Sequence, residues 1–185
     1  MRAALAGEPR AFDTLIERHQ RRATAVAYRL LGNLHDALEV CQEAFVRAYR
    51  SLESLAEPER FTPWLLRIVT NLSLNFRRSR AVGGPRLSFE DCLVGDDRSP
   101  DELVSTAPGS AADPEARMAA GELADLVQQA ISELPELQRL ALVLFSIEQL
   151  PQKEVASIMG TSVEAVKWHV FQARKRLRER LADYL

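Results

Sequence analysis

The sequence predicts an all-α protein of two small helical domains joined by an acidic, flexible linker. Near both ends of the chain, apolar residues recur three and four positions apart, which is the spacing of amphipathic helices. Between these two parts, turn-forming residues such as Gly83-Gly84-Pro85 and Asp113-Pro114 accumulate and apolar residues are sparse. We therefore expect a first domain over residues 1–80, a linker over 81–114 and a second domain over 115–185.

The overall composition indicates a soluble protein, and the sequence predicts neither a metal site nor a cofactor site. No apolar run reaches the roughly 18 residues of a membrane helix, and residues 1–10 contain no apolar core of signal-peptide length. We expect a cytoplasmic protein with no membrane contact of its own. Cys41 and Cys92 lack the spacing of a zinc site, so we expect no metal and no cofactor. Cys41 is expected to be buried on a helix and Cys92 to lie in a loop, although a redox role stays open for both.

Charge is strongly segregated, although the formal net charge is only −2. Residues 61–86 contain no Asp or Glu, whereas residues 87–125 contain ten acidic residues against only two basic ones, and the C-terminus is again basic. The basic residues of the first block are Arg67, Arg77, Arg78, Arg80 and Arg86. Because local charge attracts nucleic acid more than net charge does, the pattern favours two nucleic-acid-binding surfaces.

Three helices are predicted in the first domain, over about 11–31, 34–52 and 62–78. Gly32-Asn33 ends the first, and the third opens with Thr62 as N-cap and Pro63 in the first helical position. The apolar stripe of the third helix is Leu65, Ile68, Val69, Leu72 and Phe76. Its other faces carry Arg67, Thr70, Asn71, Asn75, Arg77 and Arg78. That basic end is typical of a nucleic-acid contact or of a solvated helix C-terminus.

The second domain contains a helix-turn-helix over residues 150–181. Helices are predicted over 115–132, 136–147 and 151–159, and the turn Gly160-Thr161-Ser162 precedes a last, long helix from Val163. The narrow apolar stripe of that helix is Val163, Val166, Val170, Ala173, Leu177 and Leu181. This arrangement is typical of a helix inserted in the major groove of DNA.

The outward side chains of the last helix suit DNA. Lys167, Arg174, Lys175 and Arg176 are expected to contact phosphates, and His169 and Gln172 to reach base edges. Trp168 and Phe171 fit two interpretations, packing on a neighbouring helix or contact with a thymine methyl group or the DNA backbone.

With these motifs together, the chain resembles the extracytoplasmic-function group of bacterial RNA polymerase sigma factors over nearly its whole length apart from the linker. The matching motifs of the first domain are Ala11-Phe12, Tyr28-Arg29-Leu30-Leu31-Gly32, Asp36-Ala37, Gln42-Glu43-Ala44-Phe45, Phe61, Trp64-Leu65, Ile68 and Asn71. Those of the second domain are Leu134-Pro135, Gln138-Arg139, Glu154-Val155-Ala156, Met159-Gly160, Ser162-Val163, Val166-Lys167 and Ala173-Arg174.

The resemblance implies a sigma factor that is not an enzyme, that binds core RNA polymerase through its clamp helices and flap, and that directs it to promoters. The residues it implies for duplex minus-thirty-five DNA are Ser162, Glu164, Lys167, Trp168, His169, Gln172, Arg174, Lys175 and Arg176. For the opened minus-ten strand they are Trp64, Arg67, Thr70, Asn71, Asn75, Arg77 and Arg78, although Trp64 also fits a place in the core. For the polymerase they are Asp36, Glu39, Gln42, Glu43 and Phe45, whose acids also fit a solvated helix start. An anti-sigma factor is a further implied partner.

Some positions depart from the pattern of that family. Glu39 stands where an Asp is usual, and Asn75 replaces an Asp found in many relatives. In the last helix, Trp168-His169-Val170 and Gln172 replace the usual Ser-Arg-Leu and a following Arg. These departures bear on which promoter sequence is recognised.

Two other classes of function are less well supported. A stand-alone helix-turn-helix regulator would share the last helix but would not need the basic helix after Trp64 or the Gln42-Glu43 surface. An enzyme is disfavoured because His19, His35 and His169 are scattered and no phosphate-binding glycine loop occurs.

Overall fold

The computed structural model describes residues 9–81 and 114–184, and both parts are helical with no β-strand among these residues. The all-α prediction is therefore confirmed. The predicted linker and the loop placement of Cys92 lie outside the described residues.

The first domain packs three helices against one another, α1 (Pro9–Leu31), α2 (Leu34–Arg50) and α3 (Phe61–Ala81). Gly32, with a φ of 76°, turns the chain after α1, in the left-handed region that glycine adopts without strain. The Asn33 side chain then caps α2 by accepting a hydrogen bond of 3.0 Å from the Asp36 amide.

The predicted ends of these helices need two corrections. Helix α2 ends at Arg50 and is followed by a 3₁₀ turn, Leu52–Ser54, so the prediction of helix to residue 52 was slightly long. Helix α3 begins at Phe61, directly after a second 3₁₀ turn, Pro58–Arg60, so Thr62 lies inside the helix and is not its N-cap. Because that turn runs straight into α3, the chain needs no separate capping residue there.

The second domain consists of α4 (Pro114–Ser132), α5 (Glu136–Ala141), α6 (Gln152–Met159) and α7 (Val163–Arg180), with a 3₁₀ turn, Ala182–Tyr184, at its end. Helix α5 continues as a π-helical segment, Leu142–Ile147. Gly160 adopts a φ of 63° between α6 and α7, and the Ser162 hydroxyl accepts a hydrogen bond from the Ala165 amide. The predicted helix-turn-helix is therefore present.

The two domains contact each other through α1. The Arg139 guanidinium donates a 3.1 Å hydrogen bond to the carbonyl oxygen of Leu30, and the Gln128 amide donates one of 3.2 Å to that of Tyr28. The Arg22 guanidinium lies 2.6 Å from the carboxylate of Glu148. The two domains therefore pack directly against each other, which we call the closed arrangement. None of the described helices is long and apolar enough to span a membrane.

Candidate nucleic-acid interface

Helix α7 buries only one narrow side. Val166, Val170 and Ala173 are buried against α5 and α6, as the apolar stripe predicts. The opposite side carries Trp168 and Phe171, whose exposed fractions of 55% and 63% are high for large aromatic residues. These side chains therefore do not pack in the core of the second domain, which leaves the DNA-contact interpretation of both open.

The polar residues of α7 flank the two aromatic residues. Lys167, Lys175 and Arg176 are exposed, while Arg174 donates a 3.1 Å hydrogen bond to the Ser146 hydroxyl. Glu164 is exposed in the first turn, next to the capping Ser162. An exposed helix bearing several cations after a tight turn is the arrangement that presents side chains to a DNA groove.

His169 and Gln172 lie at the edge of this surface and are half-buried. The His169 ring packs edge-on against Trp168, with ring centroids 5.0 Å apart, and its Nδ1 atom is buried without a hydrogen-bond partner among the described residues. The neighbouring ring thus restricts the orientation of the exposed Trp168 side chain.

Helix α3 presents a second polar surface, which we call the α3 stripe: Arg67, Asn71, Asn75 and Arg78. All four are exposed, and steps of four, four and three residues place them on one face. Arg77 is partly buried and donates a 3.3 Å hydrogen bond to the Leu30 carbonyl oxygen. The structure thus brings four of the seven predicted minus-ten residues together and gives Arg77 an internal partner.

The burial of Thr70 requires a correction to the predicted set of minus-ten residues. Its side chain is fully buried and its Oγ1 atom has no hydrogen-bond partner among the described residues. Because Leu66 and Ser73, which lie outside the predicted apolar stripe, are also buried, α3 faces the core over a wider arc than that stripe indicated. A side chain with no exposed surface cannot contact DNA from this position, so we remove Thr70 from the set.

Trp64 occupies an intermediate position at the start of α3. It is partly buried and packs against the core, with its ring centroid 5.8 Å from that of Phe61. Phe61 in turn contacts the His19 ring at 5.0 Å. This packing favours the core interpretation of Trp64 over a base contact.

The predicted polymerase-binding residues all lie on α2, and all but Phe45 are at least partly exposed. Gln42 is exposed, Glu39 and Glu43 are partly exposed, and Asp36 forms an ion pair with Arg80. Phe45 is only 6% exposed and belongs to the core of the first domain. Its prediction as a contact was wrong in this arrangement, because it lies one position away from the outward face of the helix.

Three apolar residues that the sequence analysis did not select lie on that outward face. Leu38, Val46 and Tyr49 are 40%, 43% and 59% exposed and share a side of α2 with Gln42. They could have been found by asking which apolar residues of α2 fall outside its buried stripe. Together with Glu39 and the ion pair of Glu43 and Arg47, they form a mixed apolar and charged surface.

No cofactor or metal site is evident in the described parts of the chain. The ligand atoms of His35, Asp36 and Glu39 lie within 4.8 Å of one another. Asp36 is already neutralised by Arg80, however, and an exposed acidic group of this kind is common without a metal.

A helix-turn-helix domain joined to a three-helix domain, each with an exposed polar helix face, is an architecture typical of modular DNA-binding proteins. Family comparison agrees with this division: residues 15–82 match Sigma-70 region 2 and residues 124–177 match Sigma-70, region 4. The ECF RNA polymerase sigma factor SigW of Bacillus subtilis is 30% identical over 186 residues, which cover 96% of this chain and 92% of that protein. The chain therefore belongs to the family of extracytoplasmic-function RNA polymerase sigma factors.

Solved structures agree with the fold. CnrH, in complex with the cytosolic domain of CnrY, is 27% identical with a TM-score of 0.63, over 97% of this chain and 93% of that one. The sigma factor RpoE of Bartonella quintana, in complex with the anti-sigma factor NepR, is 20% identical with a TM-score of 0.65, over 93% of this chain and 97% of that one. Family membership makes this chain a factor for promoter-specific transcription initiation, a regulatory rather than an enzymatic class of protein.

Proposed function

We propose that the two exposed surfaces are the two promoter contacts of this sigma factor. Helix α7 would enter the major groove of the duplex minus-thirty-five element, and the α3 stripe would hold the opened non-template strand of the minus-ten element. The observation that carries this assignment is that α3 and α7 each expose a polar face that bears basic side chains.

On α7, the division of labour follows the chemistry of the side chains. Lys167, Lys175 and Arg176 would contact phosphates, which positions the helix without selecting a sequence. Ser162 and Glu164 lie where the first turn of a recognition helix approaches DNA, and Gln172 could pair with a base edge. Trp168, oriented by His169, is suited to a thymine methyl group. The replacements that distinguish this chain from its relatives therefore fall where its promoter preference would be set.

On α3, the chemistry favours a single strand over a duplex. Amide side chains such as those of Asn71 and Asn75 can donate and accept hydrogen bonds with the edge of an unpaired base. Arg67 and Arg78 would neutralise the strand's phosphates. Extracting a base costs on the order of a few kcal/mol, and such contacts offset that cost.

The outward face of α2 would bind core polymerase. Leu38, Val46 and Tyr49 supply apolar area, and Glu39 and Glu43 lie beside them. An apolar centre with charged edges is the composition of a specific protein interface. The second domain would contact the polymerase flap, and the site of action would be the cytoplasm, where the polymerase works.

An anti-sigma factor is a further proposed partner. The support is the fold shared with RpoE, which is held by an anti-sigma factor in its solved structure.

Run-off transcription tests this function directly. Core polymerase reconstituted with the full chain should transcribe a subset of genomic fragments that core polymerase alone does not transcribe. A stand-alone regulator would instead bind DNA without co-purifying with core polymerase. Silence on every fragment together with no polymerase binding would contradict the proposal.

A further inference from the structure

We propose that Ser146 is a positioning residue for DNA binding. Its hydroxyl orients Arg174 toward a phosphate of the minus-thirty-five duplex, and the sugar-phosphate backbone of that strand lies in a cleft beside α7. This inference rests on the proposed function and deepens it, because it states how one strand of the upstream element is held. Ser146 lies outside every site that the sequence predicts.

The cleft lies between α7, the start of α6 and the π-helical segment, and has a volume of about 180 Å³. Phe171 of α7, Phe145 of the π-helical segment and Gln152, the first residue of α6, line it. Val166 and Val170, which are buried, also line it. The interior is therefore largely apolar, a surface suited to the carbon atoms of a deoxyribose rather than to a phosphate.

Two cations line the same cleft. Lys167 and Arg174 are seven residues apart on α7, which is about two turns, so they share one side of the helix. At 1.5 Å per residue they are separated by roughly 10 Å along the axis, which allows each to bind a different phosphate. No acidic residue is among the described side chains that line the cleft. An apolar interior with cations beside it complements the backbone of a DNA strand in both shape and charge.

Ser146 holds Arg174 without neutralising it. The Nη2 atom of Arg174 donates a hydrogen bond of 3.1 Å to the Ser146 hydroxyl oxygen. A guanidinium has five N–H donors, so a bond to one hydroxyl leaves most of them free for a phosphate. Because binding also requires a long side chain to lose rotamer freedom, a guanidinium that is already oriented binds an anion at a lower entropic cost.

Arg180, six residues further along α7, shows the opposite arrangement. Its guanidinium lies 3.2 Å from the carboxylate of Glu133, which offsets its charge. Arg174 is instead oriented by a neutral group and keeps its full charge beside the cleft. The two arginines of one helix therefore differ in what they offer to DNA.

The backbone fixes the position of the Ser146 hydroxyl. Leu142, Val143 and Leu144 of the π-helical segment are buried, whereas Phe145 and Ser146 are partly exposed. The segment thus passes from the core to the surface where it meets α7. Since π-helical turns occur frequently at functional sites and three buried residues anchor this one, Ser146 provides a fixed support for Arg174.

The test compares Ser146→Ala, Arg174→Gln and their double variant, each as holoenzyme reconstituted from core polymerase and the full chain. Affinity for a transcribed duplex fragment is measured over a series of salt concentrations. Arg174→Gln should weaken binding and make the slope of log affinity against log salt shallower by about one, the loss of one phosphate contact. Ser146→Ala should weaken binding by about three- to tenfold, the effect of one hydrogen bond. The double variant should bind no more weakly than Arg174→Gln alone, because both changes remove the same contact.

Two matched variants separate this role from a merely structural one. Arg180→Gln removes the same charge from α7 at a position already paired with a carboxylate, so the salt slope should not change. Ser146→Thr keeps the hydroxyl and should bind like the wild type. Urea unfolding of Ser146→Ala should match the wild type, whereas a hydrogen bond that serves only the fold would lower the free energy of unfolding and leave DNA affinity unchanged.

The outcomes distinguish the parts of the proposal. An unchanged salt slope in Arg174→Gln would overturn the phosphate contact. Wild-type affinity in Ser146→Ala, or additive losses in the double variant, would overturn the positioning role. Run-off transcription by the wild-type holoenzyme decides the proposed function separately, since a chain that directs transcription while Ser146→Ala binds normally contradicts only the role of Ser146.

Discussion

Helices α3 and α7 differ in how deeply they lie in their domains. Helix α3 packs against both other helices of the first domain, and Leu65, Leu66, Val69, Thr70 and Ser73 are all at most 1% exposed. On α7, Val166, Val170 and Ala173 are the buried residues, and most other side chains reach solvent. Both helices are proposed to contact DNA, yet α3 has one narrow outer stripe while α7 has a broad surface.

The difference indicates that substitutions on the two helices will have different consequences. A change on α3 that falls beside the stripe enters the core, so it affects folding before it affects DNA. A change on the outer side of α7 leaves the fold intact and affects recognition alone. The following predictions test this contrast from the largest expected effect to the smallest.

The largest effect is expected from Leu65→Ala in α3. Removing a fully buried leucine side chain should lower the free energy of unfolding of the first domain by about 2–5 kcal/mol, because a cavity remains. Phe171→Ala on the outside of α7 is the comparison and should change stability by about 0.5 kcal/mol or less. Urea unfolding followed by circular dichroism measures both. Equal effects would refute the contrast in burial.

A smaller and more specific effect is expected from Thr70→Val. The substitution replaces a buried hydroxyl without a described partner by a methyl group of similar size. Stability should rise by about 1 kcal/mol, since an unsatisfied buried polar group is costly. Run-off transcription should be unchanged. A large loss of transcription with stability preserved would restore Thr70 as a DNA contact.

The smallest effect concerns pH and His19, which packs beneath the start of α3. Burial, and then the charges of Arg18 and Arg22, lower the pKa of His19 below its usual 6.5. The unfolded chain therefore binds a proton at His19 more readily than the folded chain does. The contribution of neutral His19 to stability is fully present above pH 6.5 and is lost as pH falls through the pKa of the folded state. His19→Gln should flatten the dependence of unfolding free energy on pH between about 4 and 7, as measured by urea titrations. An unchanged slope would contradict this assignment.

The elements set by local chemistry could be predicted from the sequence. The turn at Gly160, the cap at Ser162 and the apolar stripe of α7 depend on neighbours within a few residues, and all three are present. The buried place of Cys41 also follows from its position on the apolar side of α2.

Features set by distant packing could not be predicted in this way. Thr70 and Phe45 look suitable for contacts because each is next to an outward position, but the helices packed around them bury both. The pair of Arg22 and Glu148 joins residues 126 positions apart, and no local pattern indicates it. The start of α3 was misplaced because a 3₁₀ turn, rather than a capping side chain, precedes it.

The central claim is that α7 holds duplex DNA while the α3 stripe holds an opened strand. Footprinting of holoenzyme on a transcribed fragment tests it, with nuclease protection reporting the upstream duplex and permanganate reactivity reporting unpaired thymines. The double variant Arg67→Gln/Asn75→Ala should keep upstream protection and lose permanganate reactivity, whereas Trp168→Ala should weaken both. Loss of upstream protection in the α3 variant with strand opening retained would contradict the account.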